Sequence, residues 1–115
     1  MLAWLFCPLF IWAQIHTSYI LDPPIEGNEP SISINPLDAD DIWLAFNNNN
    51  VYHTLNRGKQ WLPVKVEPPQ GFYGDPVIYK STSGLTYLAH LAQNKEKKYP
   101  ESFDCIVFER STNGV

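Results

Sequence analysis

A short pattern that recurs along the chain is the feature that most restricts its fold. Glu29-Pro30 precedes one apolar run, and Asp75-Pro76 precedes another 46 positions later (29 to 75). Thr54-x-Asn56 and Ser111-x-Asn113 recur in the same way at the end of a later run in each half. A period of roughly 40–50 residues that contains several short strands is typical of β-propeller blades. A β-sandwich does not repeat in this manner.

Short apolar runs separated by turn residues predict strands throughout the chain. The runs are 31–34, 42–46, 51–54, 61–66, 76–80, 85–91 and 103–110, and residues 35–41 are predicted as a turn. Pro63 places the fourth strand at a sheet edge, because proline has no N–H for a ladder hydrogen bond. Since no stretch has a helical period, the predicted fold class is all-β, with propeller blades of four antiparallel strands.

The division of the chain follows from this pattern. A first blade is predicted at 28–70, and a second, incomplete blade at 71–115. Because each blade needs neighbours to cover its faces, we expect this chain to be the N-terminal fragment of a longer propeller.

The first thirteen residues differ from the rest in being almost wholly apolar. Residues 1–13 carry no charged side chain and end in Ala13, which favours a secretory signal peptide over a membrane span. The alternatives are a buried N-terminal strand or a misplaced start codon. Residues 14–27 are then a linker, and we expect the protein to be secreted, periplasmic or in the cell envelope. Cys105 remains as a buried, inert thiol with no disulfide partner.

Charge and metal-ligand patterns exclude several functions. The net charge is −4, so the basic stripe that non-specific nucleic-acid binding needs is lacking. Asp38, Asp40 and Asp41 lack the glycine and distal glutamate of an EF-hand and are predicted to be a solvated turn. His53 and His90 are predicted to be core or edge histidines. We therefore expect no metal site and no cofactor; the oligomeric state stays open.

The turn after the third run has a chemistry that can be derived from its residues. The side-chain oxygens of Thr54 and Asn56 can accept hydrogen bonds from nearby backbone N–H groups. Gly58 allows a backbone angle that a Cβ would penalise, and Trp61 is predicted to fold its indole beneath the hairpin. This is a structural role and not a catalytic one.

These residues also carry a resemblance to a known family. Thr54, Asn56, Gly58 and Trp61 resemble the Asp-box, or BNR repeat (Ser/Thr-x-Asp-x-Gly-x-Thr/Ser-Trp), with Asn56 in the aspartate position. Ser111 and Asn113 are similar to the start of a second box. Together with Tyr73-Gly74-Asp75-Pro76-Val77, the chain from about residue 28 to residue 115 resembles secreted bacterial sialidase-like propellers.

The resemblance implies a six-bladed propeller that hydrolyses glycosidic bonds. Sialidases hold the substrate carboxylate with three arginines, use an aspartate as acid/base, and attack through a tyrosine that a glutamate activates. In this chain Asn28 stands where the first arginine belongs. The resemblance thus implies a sialidase-like glycoside hydrolase that acts on terminal sugars of glycans. The alternative is a non-catalytic Asp-box propeller that binds glycans or mediates adhesion.

Two acidic residues are the candidates for a chemical role. Glu29 and Asp75 each precede a predicted inner strand, so both side chains are expected near the channel mouth. Two converging carboxyl groups would suit acid/base chemistry or a cation. The alternative, which we favour, is that each acid only binds backbone N–H groups and fixes the entry of its blade. Phe72 and Tyr73 are predicted to pack the joint between blades, with stacking on a sugar ring as the alternative.

Overall fold

Seven antiparallel strands form two sheets in the computed structural model of this protein, which describes residues 18, 28–92, 94, 96–103 and 105–111. The first sheet contains β1 (Ser31–Asn35), β2 (Asp38–Phe46), β3 (Asn50–Thr54) and β4 (Leu62–Val64), side by side in chain order. The second contains β5 (Gly74–Lys80), β6 (Thr86–Leu91) and β7 (Ile106–Ser111), again in chain order.

The predicted all-β class is confirmed, because the described residues contain strands and turns but no helix. The two sheets do not close into a ring, so assignment to a propeller stays a prediction. The predicted signal peptide (1–13) and, apart from residue 18, the predicted linker (14–27) lie outside the described residues.

The first sheet pairs as its side-chain pattern requires. Leu44 of β2 lies opposite Ile32 of β1 on one side and Tyr52 of β3 on the other, so these apolar side chains share one face. Trp43 lies opposite His53 on the other face. β4, which contains Pro63, is the edge strand that the sequence predicted.

Two local predictions were wrong. The turn expected over 35–41 is confined to residues 36–37, and β2 begins at Asp38. Asp41 is consequently a buried strand residue and not part of a solvated turn. Cys105 lies just before β7 and is exposed, because the strand that follows it is an edge strand whose residues are themselves exposed or half-buried.

The two sheets meet through β1 and β5. The N–H of Ile78 donates to Oγ of Ser31 (3.0 Å), and the N–H of Lys80 donates to Oγ of Ser33 (2.8 Å). Serine hydroxyls of one sheet thus satisfy main-chain donors of the other, on the side of β5 that faces away from β6. The first strands of the two sheets are therefore held side by side.

An apolar core fills the space between the sheets. It consists of Trp43, Ala45 and Val51 from the first sheet and Ile78 and Leu88 from the second. Phe72 packs against this core and stacks on the His90 ring, with the ring centroids 4.0 Å apart. The prediction that Phe72 packs the joint between the two units is therefore confirmed; Tyr73 instead contacts the Phe103 ring, at 4.2 Å between centroids.

The opposite face of each sheet leaves apolar side chains in solvent. On the first sheet these are Ile32 and Ile34, and on the second Val77, Tyr79 and Phe108. Tyr87 stacks between Tyr79 and Phe108, so the second sheet presents a continuous aromatic row. Contiguous exposed apolar surface of this kind is typical of regions where proteins contact another protein segment.

Candidate functional site

The two acidic residues singled out from the sequence lie at the same end of the two sheets. Glu29 comes two residues before β1, and Asp75 is the second residue of β5. Both have a left-handed backbone, with φ of 52° and 51°, although neither is a glycine and each precedes a proline. Because a residue before proline strongly prefers extended angles, this shared conformation is unusual and requires support from neighbouring contacts.

Asn47, which follows β2 directly, supplies those contacts. Its Nδ2 donates to Oε2 of Glu29 (2.5 Å), and its Oδ1 accepts the N–H of Asp75 (2.7 Å). Its own N–H donates to the carbonyl of Asn28 at 3.3 Å. One carboxamide from the first sheet thereby ties together the residues that lead into β1 and begin β5.

Gly74 is the residue that makes room for this bridge. A Cβ at position 74 would lie 2.5 Å from Oδ1 of Asn47 and 2.8 Å from its Cγ. Any larger residue would therefore displace the Asn47 carboxamide from its two partners. The glycine is needed for a close approach and not for a special backbone angle.

The carboxyl groups of Glu29 and Asp75 lie close enough together for each to shift the pKa of the other. Hydrogen bonds from Asn47 and then from Asp75 hold the pKa of Glu29 below its ordinary value. The hydrogen bond to Glu29 raises the pKa of Asp75, and partial loss of hydration and the negative charge of Glu29 raise it further. Glu29 is thus the ionised member of the pair, and Asp75 the member that retains a proton to higher pH.

This geometry is suited to proton transfer. Both side chains are exposed, so a ligand can reach both carboxyl groups. A carboxylic acid with a raised pKa beside an ionised carboxylate is the arrangement that general acid catalysis uses. Asn28 lies next to Glu29 and brings no positive charge to the pair.

Metal ligands do not come together in the described part of the chain, where no group of three or more His, Cys, Asp or Glu side chains could hold an ion. The three aspartates of the run 38–41 have different partners. Asp38 accepts the N–H of Asp40 (3.0 Å), Asp40 pairs with Arg57, and Asp41 is buried in the core.

The turn after β3 has the hydrogen bonds expected from its residue types. Oγ1 of Thr54 accepts the N–H groups of Asn56 and Gly58, both at 3.2 Å, and donates to Oδ1 of Asn56 at 2.8 Å. The same Oδ1 accepts the N–H of Gln60 at 2.9 Å. Gly58 has a φ of +81°, and a Cβ there would lie 3.4 Å from the Trp61 ring, so the indole lies against the turn.

The second such pattern is described only in part. Ser111 is the last residue of β7, as Thr54 is the last residue of β3, so the two hydroxyl residues end equivalent strands. Asn113 lies outside the described residues. None of the turn residues Thr54, Asn56, Gly58 and Trp61 belongs to the carboxyl pair.

A buried polar cluster between the sheets was not predicted. Asp41, 7% exposed, accepts hydrogen bonds from Asn35, Trp43 and His53, each at 2.9 Å, and lies 3.5 Å from Nζ of Lys80. Lys80 itself is 4% exposed. Its ammonium lies 5.3 Å from the Trp43 ring centroid and donates to Thr86 at 3.3 Å. The run Asp38–Asp41 gave no sign of this, because three of the partners, Asn35, His53 and Lys80, come from other strands.

The cleft between the sheets is not a ligand site of the usual size. Its volume is about 240 Å³, below the roughly 300–1,000 Å³ of small-molecule pockets, and core residues such as Trp43, Ile78 and Leu88 line it. The carboxyl pair lies outside this cleft. We therefore place the candidate site at the exposed end of the sheets.

No protein-family model, curated protein or solved structure matches this chain. In the described part of the chain no helix is long and apolar enough to cross a membrane.

Proposed function

We propose that this chain contributes the first blades of a secreted, sialidase-like β-propeller that hydrolyses terminal sugars of glycans. The observation that carries the proposal is the Glu29–Asp75 pair, in which two exposed carboxyl groups lie together at the start of two adjacent strands, with the pKa of Asp75 raised and that of Glu29 lowered.

The repeated construction of the two sheets supports the propeller part of the proposal. An acid–proline pair stands at the start of each sheet, with the acidic residue in the same left-handed conformation, and the third strand of each sheet ends in a hydroxyl residue. β1 and β5 lie side by side, as the inner strands of consecutive blades do. The exposed apolar faces of both sheets would be covered by further blades.

The catalytic part of the proposal assigns different roles to the two acids. Asp75 donates its proton to the oxygen of the leaving group, and Glu29 in its ionised form keeps that proton on Asp75 to higher pH. The groups that attack the sugar and hold its remaining substituents come from blades beyond these two. Activity should fall as pH rises through the pKa of Asp75, because the acid must be protonated.

The test is hydrolysis of a panel of aryl glycosides, sialosides included, by the full-length gene product. Asp75→Asn should lower kcat by about 10²–10⁴-fold, the usual contribution of a general acid. Asp38→Asn is the control, since that exposed carboxylate begins β2 at the other end of the sheet. Unchanged kcat and pH profile in Asp75→Asn would overturn the catalytic role.

Two observations favour a second candidate, a non-catalytic propeller that binds glycans or mediates adhesion. Asn28 stands where the resemblance calls for an arginine. The Glu29 carboxylate also accepts a hydrogen bond from Nδ2 of Asn47, a contact that fixes the entry to β1 without any catalytic role. Retention of glycans on an array, with no hydrolysis of any member of the panel, would select this candidate.

A further inference from the structure

An exposed group of three aromatic rings lies beside the candidate site. The Phe103 ring contacts Tyr73 at 4.2 Å and Tyr99 at 5.6 Å between centroids. Tyr99 is 79% exposed and Tyr73 38%. We call Tyr73, Phe103 and Tyr99 the aromatic platform.

The platform is joined to the carboxyl pair through the main chain. Tyr73 comes two residues before Asp75, and its carbonyl accepts the N–H of Asn48, the neighbour of the bridging Asn47. Its N–H donates to the carbonyl of Leu91, the last residue of β6. The platform therefore stands at the same end of the sheets as the Glu29–Asp75 pair.

The segment that carries Tyr99 and Phe103 is held in place by its own hydrogen bonds. The N–H of Asn94 donates to the Ser102 carbonyl (2.9 Å), and the N–H of Ser102 donates to the Lys98 carbonyl (3.0 Å). Ser102 is buried. Because the backbone of the segment is held in this way, it loses little conformational freedom when a ligand packs on its aromatic side chains, which favours binding.

The two sheets differ in the length of the connection between corresponding strands. The connection from β2 to β3 is residues 47–49, whereas the connection from β6 to β7 extends over residues 92–105. The neighbouring Phe72 is turned into the core against His90, while Tyr73 faces Phe103. The added segment thus builds an exposed aromatic surface that the sheets do not need for their own packing.

We propose that the aromatic platform binds the apolar C–H face of an uncharged pyranose, at a subsite next to the carboxyl pair. The proposal rests on the proposed function, in either its catalytic or its binding form. A flat aromatic ring suits the C–H face of a sugar, and the exposed carboxyl groups of Glu29 and Asp75 are hydrogen-bonding partners for its hydroxyl groups. A sugar that carries its own carboxylate would be repelled by Glu29.

The test compares binding of neutral and sialylated oligosaccharides, on one array, to the full-length gene product and its variants. Tyr99→Leu removes the flat ring and should weaken binding of neutral oligosaccharides roughly five- to ten-fold. Tyr99→Phe keeps the ring and should keep the binding. Leu37→Ala is the control, because Leu37 is an equally exposed apolar residue in the turn between β1 and β2, at the opposite end of the sheet.

Each outcome separates this inference from the proposed function. If the parent protein binds neutral oligosaccharides and Tyr99→Leu does not, the result supports sugar binding by the platform. If the parent and Tyr99→Leu bind glycans equally well, the role of the platform is overturned and the proposed function is left intact. If only sialylated oligosaccharides are retained, the preference for an uncharged sugar is overturned. A parent that retains no glycan overturns the platform, and hydrolysis of the glycoside panel then decides the proposed function by itself.

Discussion

At the scale of single residues, the carboxyl pair depends on the small space beside Gly74. In Gly74→Ala the new Cβ would clash with the Asn47 carboxamide, which must leave Glu29 and the Asp75 N–H. Since the Asn47 bond is the main reason for the lowered pKa of Glu29, we expect that pKa to rise towards its ordinary value. NMR titration of the Glu29 side chain measures this.

Gly84→Ala is the matched control for that change. Gly84 lies in the β5–β6 turn with a φ of +83°, and a Cβ added there would meet no atom within 4 Å, so alanine costs only backbone strain, about 1 kcal/mol. The titration of Glu29 should be unchanged in Gly84→Ala. An unchanged titration in Gly74→Ala as well would contradict the bridging role of Asn47.

The Thr54 hydroxyl provides a second residue-scale prediction. Thr54→Val keeps the shape of this buried side chain but leaves the N–H groups of Asn56 and Gly58 without their acceptor. We expect a loss of about 2–3 kcal/mol in the free energy of unfolding, measured by urea denaturation. Thr54→Ser keeps the hydroxyl and should cost about 1 kcal/mol, the value of one buried methyl group. An equal loss in both variants would show that packing, not hydrogen bonding, holds the turn.

At the scale of the strands, the Asp41 cluster couples the two sheets. Asp41→Asn would leave the buried Lys80 ammonium without its counter-charge, so we expect the protein to lose about 3 kcal/mol of stability at neutral pH. The exposed Asp38 gives the control, Asp38→Asn, which should cost far less. If the two variants unfold at the same urea concentration, Asp41 does not stabilise the contact between the sheets.

The same cluster should make stability sensitive to acid. Burial raises the pKa of Asp41, but hydrogen bonds from Asn35 and His53 and the charge of Lys80 outweigh it, so the pKa is lowered overall. A lowered folded-state pKa means that the stabilisation is complete above the unfolded value, about 4, and is lost as pH falls through the lower folded value. Urea unfolding from about pH 6 to about pH 2 should show this loss in the parent and a smaller one in Asp41→Asn.

Strands and turns differ in how well local sequence predicts them. The strands at 31–34, 51–54 and 85–91 were found within a few residues, because alternation and turn residues are local signals. The start of β2 at Asp38 was missed, since partners of Asp41 on β3 and β5 bury a residue type that usually lies in solvent. Glu29 and Asp75 were found as candidates, but the Asn47 bridge that joins them was not, because one asparagine in the run of four gave no sign of its position.

At the scale of the whole molecule, the question is whether the two sheets stand alone or pack against further blades, and the uncovered apolar faces provide the test. Val77, Tyr79 and Phe108 form one face with Tyr87 stacked among them. If further blades pack there, as the proposed function requires, Phe108 is buried in the full-length gene product. Phe108→Asp would then place a charge in an apolar contact and should lower stability by about 3 kcal/mol or more.

Leu37→Asp distinguishes burial from a general effect of added charge. Leu37 is as exposed as Phe108 in these two sheets, but it lies in the β1–β2 turn, away from both apolar faces. Thermal unfolding of the full-length gene product should show a clearly lower Tm for Phe108→Asp and almost no change for Leu37→Asp. Equal tolerance of both charges would mean that the outer face of the second sheet stays in water, and the two sheets would then have to be stable without the neighbours that a propeller supplies.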